Sequence, residues 1–178
     1  MIDQRNLIEQ LIREGTKWVA TERDFHRPRG RSLFANERDS FARFFNSAQL
    51  DKVRITNVPM IIDPLFYLNL PIELRQGLIK FSNMAGITFG DTILISQSKS
   101  QGMQFDKLLF HELVHVVQYE ILGIAEFIRE YVHGWNDNEH DYWKIPLEKN
   151  ARDLEEKFVL FPSAPFSVTD EVSKALKS

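Results

Sequence analysis

This sequence predicts a helix-rich α+β fold with a small β-sheet, and three observations carry that expectation. Apolar residues recur at helical spacing over most of the chain, as in Leu7, Leu11 and Ile12 or in Leu147, Ala151, Leu154 and Phe158. Two short stretches instead have the texture of strands, KVRITNV from Lys52 and GITFGDTILIS from Gly86 to Ser96. The length of 178 residues, with 43% hydrophobic and 26% charged, suits one domain with a buried core.

The elements follow in order. Residues 1–50 read as helices, with Phe41, Phe44 and Phe45 on one side of the later one. Between them RPRGR, Arg27 to Arg31, is a basic loop punctuated by Pro and Gly. Val53, Ile55 and Val58 mark the first strand, and the Pro-rich stretch to Pro71 is irregular. Ile72 to Met84 is expected to be a helix. Gly86 to Ser96 is a strand or a short hairpin turning at Gly90-Asp91. A strongly apolar helix runs from Phe105 to about Leu122, where Gly123 stops it by tolerating positive φ. A second helix, Ile124 to His133, is closed by Gly134, and WNDNEHDYWK is a polar and aromatic loop. Pro146 opens LEKNARDLEEKF from a first helical position, Pro162 and Pro165 end it, and TDEVSKALK forms a short final helix. No internal repeat interrupts this reading.

Composition narrows the function. The chain has no cysteine, which excludes a disulfide scaffold, a thiolate metal site and a thiol nucleophile. A transition metal would be held by His, Asp or Glu, and only five histidines exist. A net charge of −3 gives no general argument for nucleic acid. The N-terminus lacks the apolar stretch of a signal peptide, so a cytoplasmic location is expected, although export without such a signal would look the same. No apolar run reaches the length of a membrane span; VPMIIDPLFYLNLP is interrupted by Pro59, Asp63, Pro64 and Asn69.

The informative segment is His111-Glu112-Leu113-Val114-His115. Residues four apart on a helix project from the same side, so both imidazoles can reach one metal ion. Glu112 lies one step round, where it can hold a water at that metal. Zinc brings such a water's pKa from about 15.7 toward 7, and a carboxylate then takes its proton as it attacks a carbonyl. A shuffled chain of this composition gives ~0.01 matches to the pattern, so chance does not account for it. The bland alternative is two core histidines satisfied by hydrogen bonds, with Glu112 at the surface.

A zinc enzyme of this kind needs a third protein ligand and one open position. The extended form of the motif, with Gly at 118 and His at 121, is absent, since Gln118 and Ile121 stand there. Glu120, Glu126, Glu130, His133, Glu139, His140, Asp141 and Glu148 remain as candidates. Glu148 sits in the first turn of a separate amphipathic helix, from which a ligand can reach a first helix; its plainer role is an i,i+4 ion pair with Arg152.

The run from Gly86 to Ile95 followed by HELVHVVQYEILG resembles the bacterial domains called the extracellular contractile injection system core domain, which have a TFG–x–x–I strand before an HELTHVxQ-like helix. IPLEKNARDLEEKF is similar to the helix that carries a glutamate ligand in gluzincin-type metallopeptidases, with Ala151 three residues after Glu148. The resemblance covers Gly86 to Phe161. It implies a minimal zincin-like fold with its small sheet next to the active-site helix, zinc on His111, His115 and Glu148, and Glu112 as general base. It also implies that the strand before that helix, Thr92, Ile93, Leu94, Ile95 and Ser96, binds substrate as an added strand. The chain then divides into a supporting region at 1–85, a metal-binding core at 86–161 and a tail at 162–178, all in one domain.

The expected function is zinc-dependent hydrolysis of peptide bonds in a peptide or protein substrate. The alternative is a zinc-stabilised binding or assembly module without turnover. A third reading, contact with nucleic acid through RPRGR, competes with three arginines that are merely solvated. By residue type alone, Tyr119, Tyr131, His133, His140 and Tyr142 are candidates to stabilise an oxyanion.

Overall fold

The computed structural model describes residues 4–177. Seven α-helices and three strands follow one another: α1 (Gln4–His26), α2 (Ala35–Phe41), α3 (Ser47–Lys52), β1 (Arg54–Val58), α4 (Ile72–Arg75), β2 (Gly86–Phe89), β3 (Thr92–Ser96), α5 (Phe105–Asp137), α6 (Pro146–Leu160) and α7 (Val168–Ala175). The fold is helix-rich α+β, as the sequence predicts.

The strand order is β1-β3-β2. β2 and β3 form the hairpin alternative, joined through Gly90, whose φ of +65° a residue with a side chain adopts at a cost. β1 runs parallel to β3, so β3 is the central strand. Its five residues are all buried, with Ile93 and Ile95 on one side and Leu94 on the other, as alternation across a covered sheet requires. The first side packs on Phe41, Phe44, Phe45 and the Phe110 face of α5. The second packs on α1 through Leu11, Ile12 and Val19, and on Phe127 and Trp135.

Gly123 breaks α5 at φ 74° and ψ 166°, the stop its position predicts. The second arm lies back beside the first, with Phe127 stacked on Tyr119 at 3.6 Å between ring centroids. That arm runs on to Asp137, so Gly134 does not end it. A Cβ at Gly134 would lie 2.6 Å from Pro146 Cδ, which makes this glycine a close approach to the start of α6. α5 is the described helix long and apolar enough to cross a membrane, and most of its apolar window is buried inside the fold. The uninterrupted run is short, while the helix as a whole is apolar because it is the core.

The helix expected from Ile72 to Met84 is a second difference. α4 stops at Arg75, whose guanidinium donates to the carbonyls of Leu70 and Leu68. Gly77 follows, costly within a helix. A separate 3-10 turn at Phe81–Asn83 is held by Asp63, which accepts from the Ser82 backbone N–H and hydroxyl at 2.9 Å each.

Candidate metal centre

His111 and His115 lie on one side of the first arm of α5, and their Nε2 atoms are 3.1 Å apart. The other nitrogen of each ring is already engaged. His111 Nδ1 donates to Glu155 Oε2 at 2.9 Å, and His115 Nδ1 donates to Gln118 Oε1 at 2.8 Å. These bonds fix both rings with Nε2 directed at the same point, the arrangement that outer partners give metal-bound histidines. Gln118 in turn donates to the Leu147 carbonyl and to Asn150 Oδ1, tying α5 to the first turn of α6.

That turn delivers Glu148. Its Oε2 lies 3.4 Å from His111 Nε2 and 3.6 Å from His115 Nε2. Atoms bound at 2.0–2.1 Å to one tetrahedral ion sit about 3.3–3.4 Å apart, so the three spacings fit a zinc-sized ion. Glu148 Oε1 accepts from the Tyr131 hydroxyl at 2.7 Å, while Oε2 is buried with no hydrogen-bond partner. At 4% residue exposure that oxygen has only the longer contacts to the two histidines and to Arg152 around it, so positive charge is what stabilises it there. His111, His115 and Glu148 are the one such group of three candidate ligands among the described residues.

The charges agree with this. Burial works against a charged Glu148, but His115 and His111 outweigh it and hold the carboxyl well below the usual range. Burial also opposes a charged His111, yet the carboxylates of Glu148 and Glu155 beside it lift the imidazole to about 10. The buried carboxylates therefore call for positive charge, which a divalent ion at the Nε2 atoms supplies more fully than one imidazolium.

Glu112 stands beside the three ligands. Thr88 Oγ1, from β2, donates to Glu112 Oε2 at 2.7 Å and to its backbone carbonyl at 3.1 Å. Glu112 Oε1 lies under Gly86, where a Cβ would come within 2.5 Å of it. Burial pushes the Glu112 carboxyl up, against the opposing pull of both histidines and Thr88. A carboxylate with a raised pKa, one oxygen anchored and the other directed elsewhere suits a proton acceptor.

Around these groups is a cavity of about 60 Å³, room for a few waters at roughly 10–15 Å³ each. Trp18 and Val19 of α1, with Phe81 and Met84, complete its walls. Trp18 packs against both Phe81 and Phe89 at 5.0 Å. Arg23 holds α1 to the hairpin turn with two hydrogen bonds to Asp91, and Arg27 adds a third contact at 3.0 Å.

Among the candidate third ligands, the structure brings Glu148 alone to the histidines. Glu120 pairs with Gln49 and Lys52, Glu126 with Arg129 and Glu139 with Lys144, while Asp141 accepts from the Trp143 backbone N–H. His140 stacks on Trp135. Arg152 Nη1 is 3.9 Å from Glu148 Oε2, too long for a hydrogen bond. Of the oxyanion candidates, Tyr119, Tyr131 and Tyr142 line the cavity and His133 and His140 do not.

One expectation is corrected. Thr92, Ile93, Leu94, Ile95 and Ser96 form the central strand, paired on both edges, so an extended peptide has no edge there to join. β2 is an outer strand, paired with β3 on one side, and Gly86 to Phe89 line the cavity. The RPRGR loop is engaged internally: Arg27 with Asp91 and the Lys52 carbonyl, Arg29 with the Phe25 carbonyl, and Arg31 with both oxygens of Glu37. Sequence reasoning missed Glu155 and Thr88. Glu155 stands seven residues after Glu148, two turns along the same face of α6, which is the signal that points to it.

No protein-family model, curated protein or solved structure matches this chain.

Proposed function

We propose that this protein is a zinc-dependent metallopeptidase of gluzincin type, with zinc held by His111, His115 and Glu148 and with Glu112 as general base. The observation that carries the reading is the buried Glu148 Oε2, without a hydrogen-bond partner and spaced from two oriented Nε2 atoms as ligands of one ion are. Zinc in such a setting supplies acidified water and polarises a carbonyl.

The residues divide the remaining work. Glu112 accepts the proton of the attacking water and delivers it to the leaving amine nitrogen as the peptide bond breaks. Thr88 keeps its carboxylate from turning away from the cavity. Tyr131 orients Glu148 so that one oxygen is left for zinc. The phenols of Tyr119 and Tyr142 remain protonated, the first through burial and Glu112, the second through burial and Glu148, and both are available as O–H donors. An extended peptide pairs with the outer edge of β2, in place of the strand expected from the sequence.

The test is zinc content and cleavage of a peptide mixture by wild type, Glu148→Ala and Glu112→Gln. Wild type should carry about one zinc, Glu148→Ala little, and Glu112→Gln should keep zinc and lose cleavage. Zinc in wild type with no cleavage that depends on Glu112 would leave the second reading, a zinc-stabilised binding module, for which the complete outer hydrogen bonding of the ligands speaks equally. Absence of zinc from wild type refutes both.

A further inference from the structure

The segment after β1 turns five aliphatic side chains outward. Met60, Ile62, Leu65, Leu68 and Ile72 are between 51% and 74% exposed. Leu65 and Leu68 stand three apart on the 3-10 turn Leu65–Asn69 and so share one edge of it, while Phe66 and Tyr67 pack inward. Across residues 55–72 the one charged side chain is Asp63, which Ser82 engages with two hydrogen bonds. The result is an uncharged aliphatic ridge. Beside it, between α1 and residues 58–66, runs an open groove of about 580 Å³ with Trp18, Phe66, Phe89 and Leu94 among its walls. Met60, Ile62 and Leu65 belong to both, since they also line the groove.

We infer that this face is the contact between two copies of the chain, each seating its ridge in the other's groove. A twofold contact uses the same patch on both partners, so a ridge and a groove side by side are what it needs. The area agrees. The five residues leave open as much surface as about three fully exposed ones, on the order of 600 Å², the top of the range for the largest apolar patch of an ordinary monomer. A stable interface takes about 800 Å² from each partner, about 65% of it apolar where two copies of one chain meet. The ridge alone supplies that apolar share. With no charge on it, pairing sets no like charges on the two ridges against each other. A bilayer suits the face less well. Its flat surface would leave the groove empty, and Glu14, Glu22 and Asp63 in the groove, against Lys17, oppose anionic headgroups. The contact also reaches the metal centre, because Trp18 and Phe89 line both the groove and the metal cavity. A partner's ridge in the groove therefore backs that shared wall.

The test is sedimentation equilibrium of the full chain at about 1–100 μM. Wild type should be a dimer at the upper end. Leu65→Glu and Leu68→Glu should each raise the dissociation constant about 100-fold, since every substitution enters a twofold contact twice. Leu160→Glu, on the exposed end of α6, should leave it unchanged. Hydrogen exchange on wild type needs no variant, and concentrating the protein should slow exchange in residues 60–72 and 14–22 by about tenfold. A monomer throughout the range overturns the inference, as does a dimer that neither ridge variant weakens. A wild-type monomer that sediments with vesicles of phosphatidylcholine and phosphatidylglycerol overturns it too, and gives the face to a lipid surface. None of these outcomes depends on zinc, so the metal site is judged separately.

Discussion

Gly86→Ala should silence turnover while leaving the metal in place. The new Cβ would fall 2.5 Å from Glu112 Oε1, 2.9 Å from Cδ and 3.0 Å from Cγ. Ordinary contact begins at 3.4 Å, so the carboxylate must retreat by about 0.9 Å. What moves is the end of a flexible side chain, which limits the loss of stability to about 1–3 kcal/mol, the usual range for an overfilled core. The same movement stretches the 2.7 Å bond from Thr88 and takes the base out of position. A misplacement near 1 Å costs a reaction about 10²-fold. The three atoms nearest the new methyl all belong to Glu112, not to a ligand. The assay is a zinc affinity by chelator competition, a melting temperature and a cleavage rate on the same preparation. Cleavage at the wild-type rate, or loss of zinc together with activity, would refute the assignment of Glu112 as the group beneath Gly86 that does the chemistry.

The remaining predictions concern the surroundings of the site. Glu155→Gln removes the charge that receives His111 Nδ1–H, and zinc affinity measured by competition should fall about 10–100-fold. Chelation should lower the melting temperature reversibly, since zinc at ~100 times its dissociation constant adds about 2.7 kcal/mol to the folded state. All four tyrosines, Tyr67, Tyr119, Tyr131 and Tyr142, are held above their ordinary pKa, first by burial and then by neighbouring carboxylates. Their contribution to stability is complete below about pH 10, where unfolded tyrosines are still neutral, and is lost as pH rises beyond it. An ultraviolet titration should therefore show no tyrosinate near pH 10 and then a single rise with alkaline unfolding. A smooth titration of the folded protein centred on pH 10 would contradict the burial of these phenols.

The parts of the centre that depend on local spacing are readable along the chain. His111, Glu112 and His115 follow from one helical period, and Gly123 ends its helix where its freedom of φ says it does. Glu148 is readable only as one of several carboxylates, because its meeting with the histidines depends on how α6 docks. Thr88 contacts the motif from 24 residues away, a distance at which periodicity carries no information, and Glu155, though two turns of α6 beyond Glu148, meets His111 only through the docking of that helix. The substrate strand fails for the same reason. Either strand of the hairpin could have been the outer one, and the parallel pairing of β1 with β3 decides it. Ile72 to Met84 is not one helix: Ile72 stands exposed, Gly77 interrupts the segment and Met84 turns to the metal cavity.

The spans that build the centre also bear on how the chain is made. His115 meets Gln118 across 3 residues, Tyr131 meets Glu148 across 17, and the longest ligand contact, His111 to Glu155, crosses 44. The bond that fastens α1 to the hairpin, Arg23 to Asp91, crosses 68. In a full-length chain that refolds, the shorter closures cost less entropy and come first, and α1 docks on a finished centre. On the ribosome the order is reversed. α1, carrying Ile8, Leu11, Ile12 and Val19, emerges before its partners in the sheet and in the far arm of α5 are made. For that interval the helix that roofs the mature site presents an unprotected apolar face.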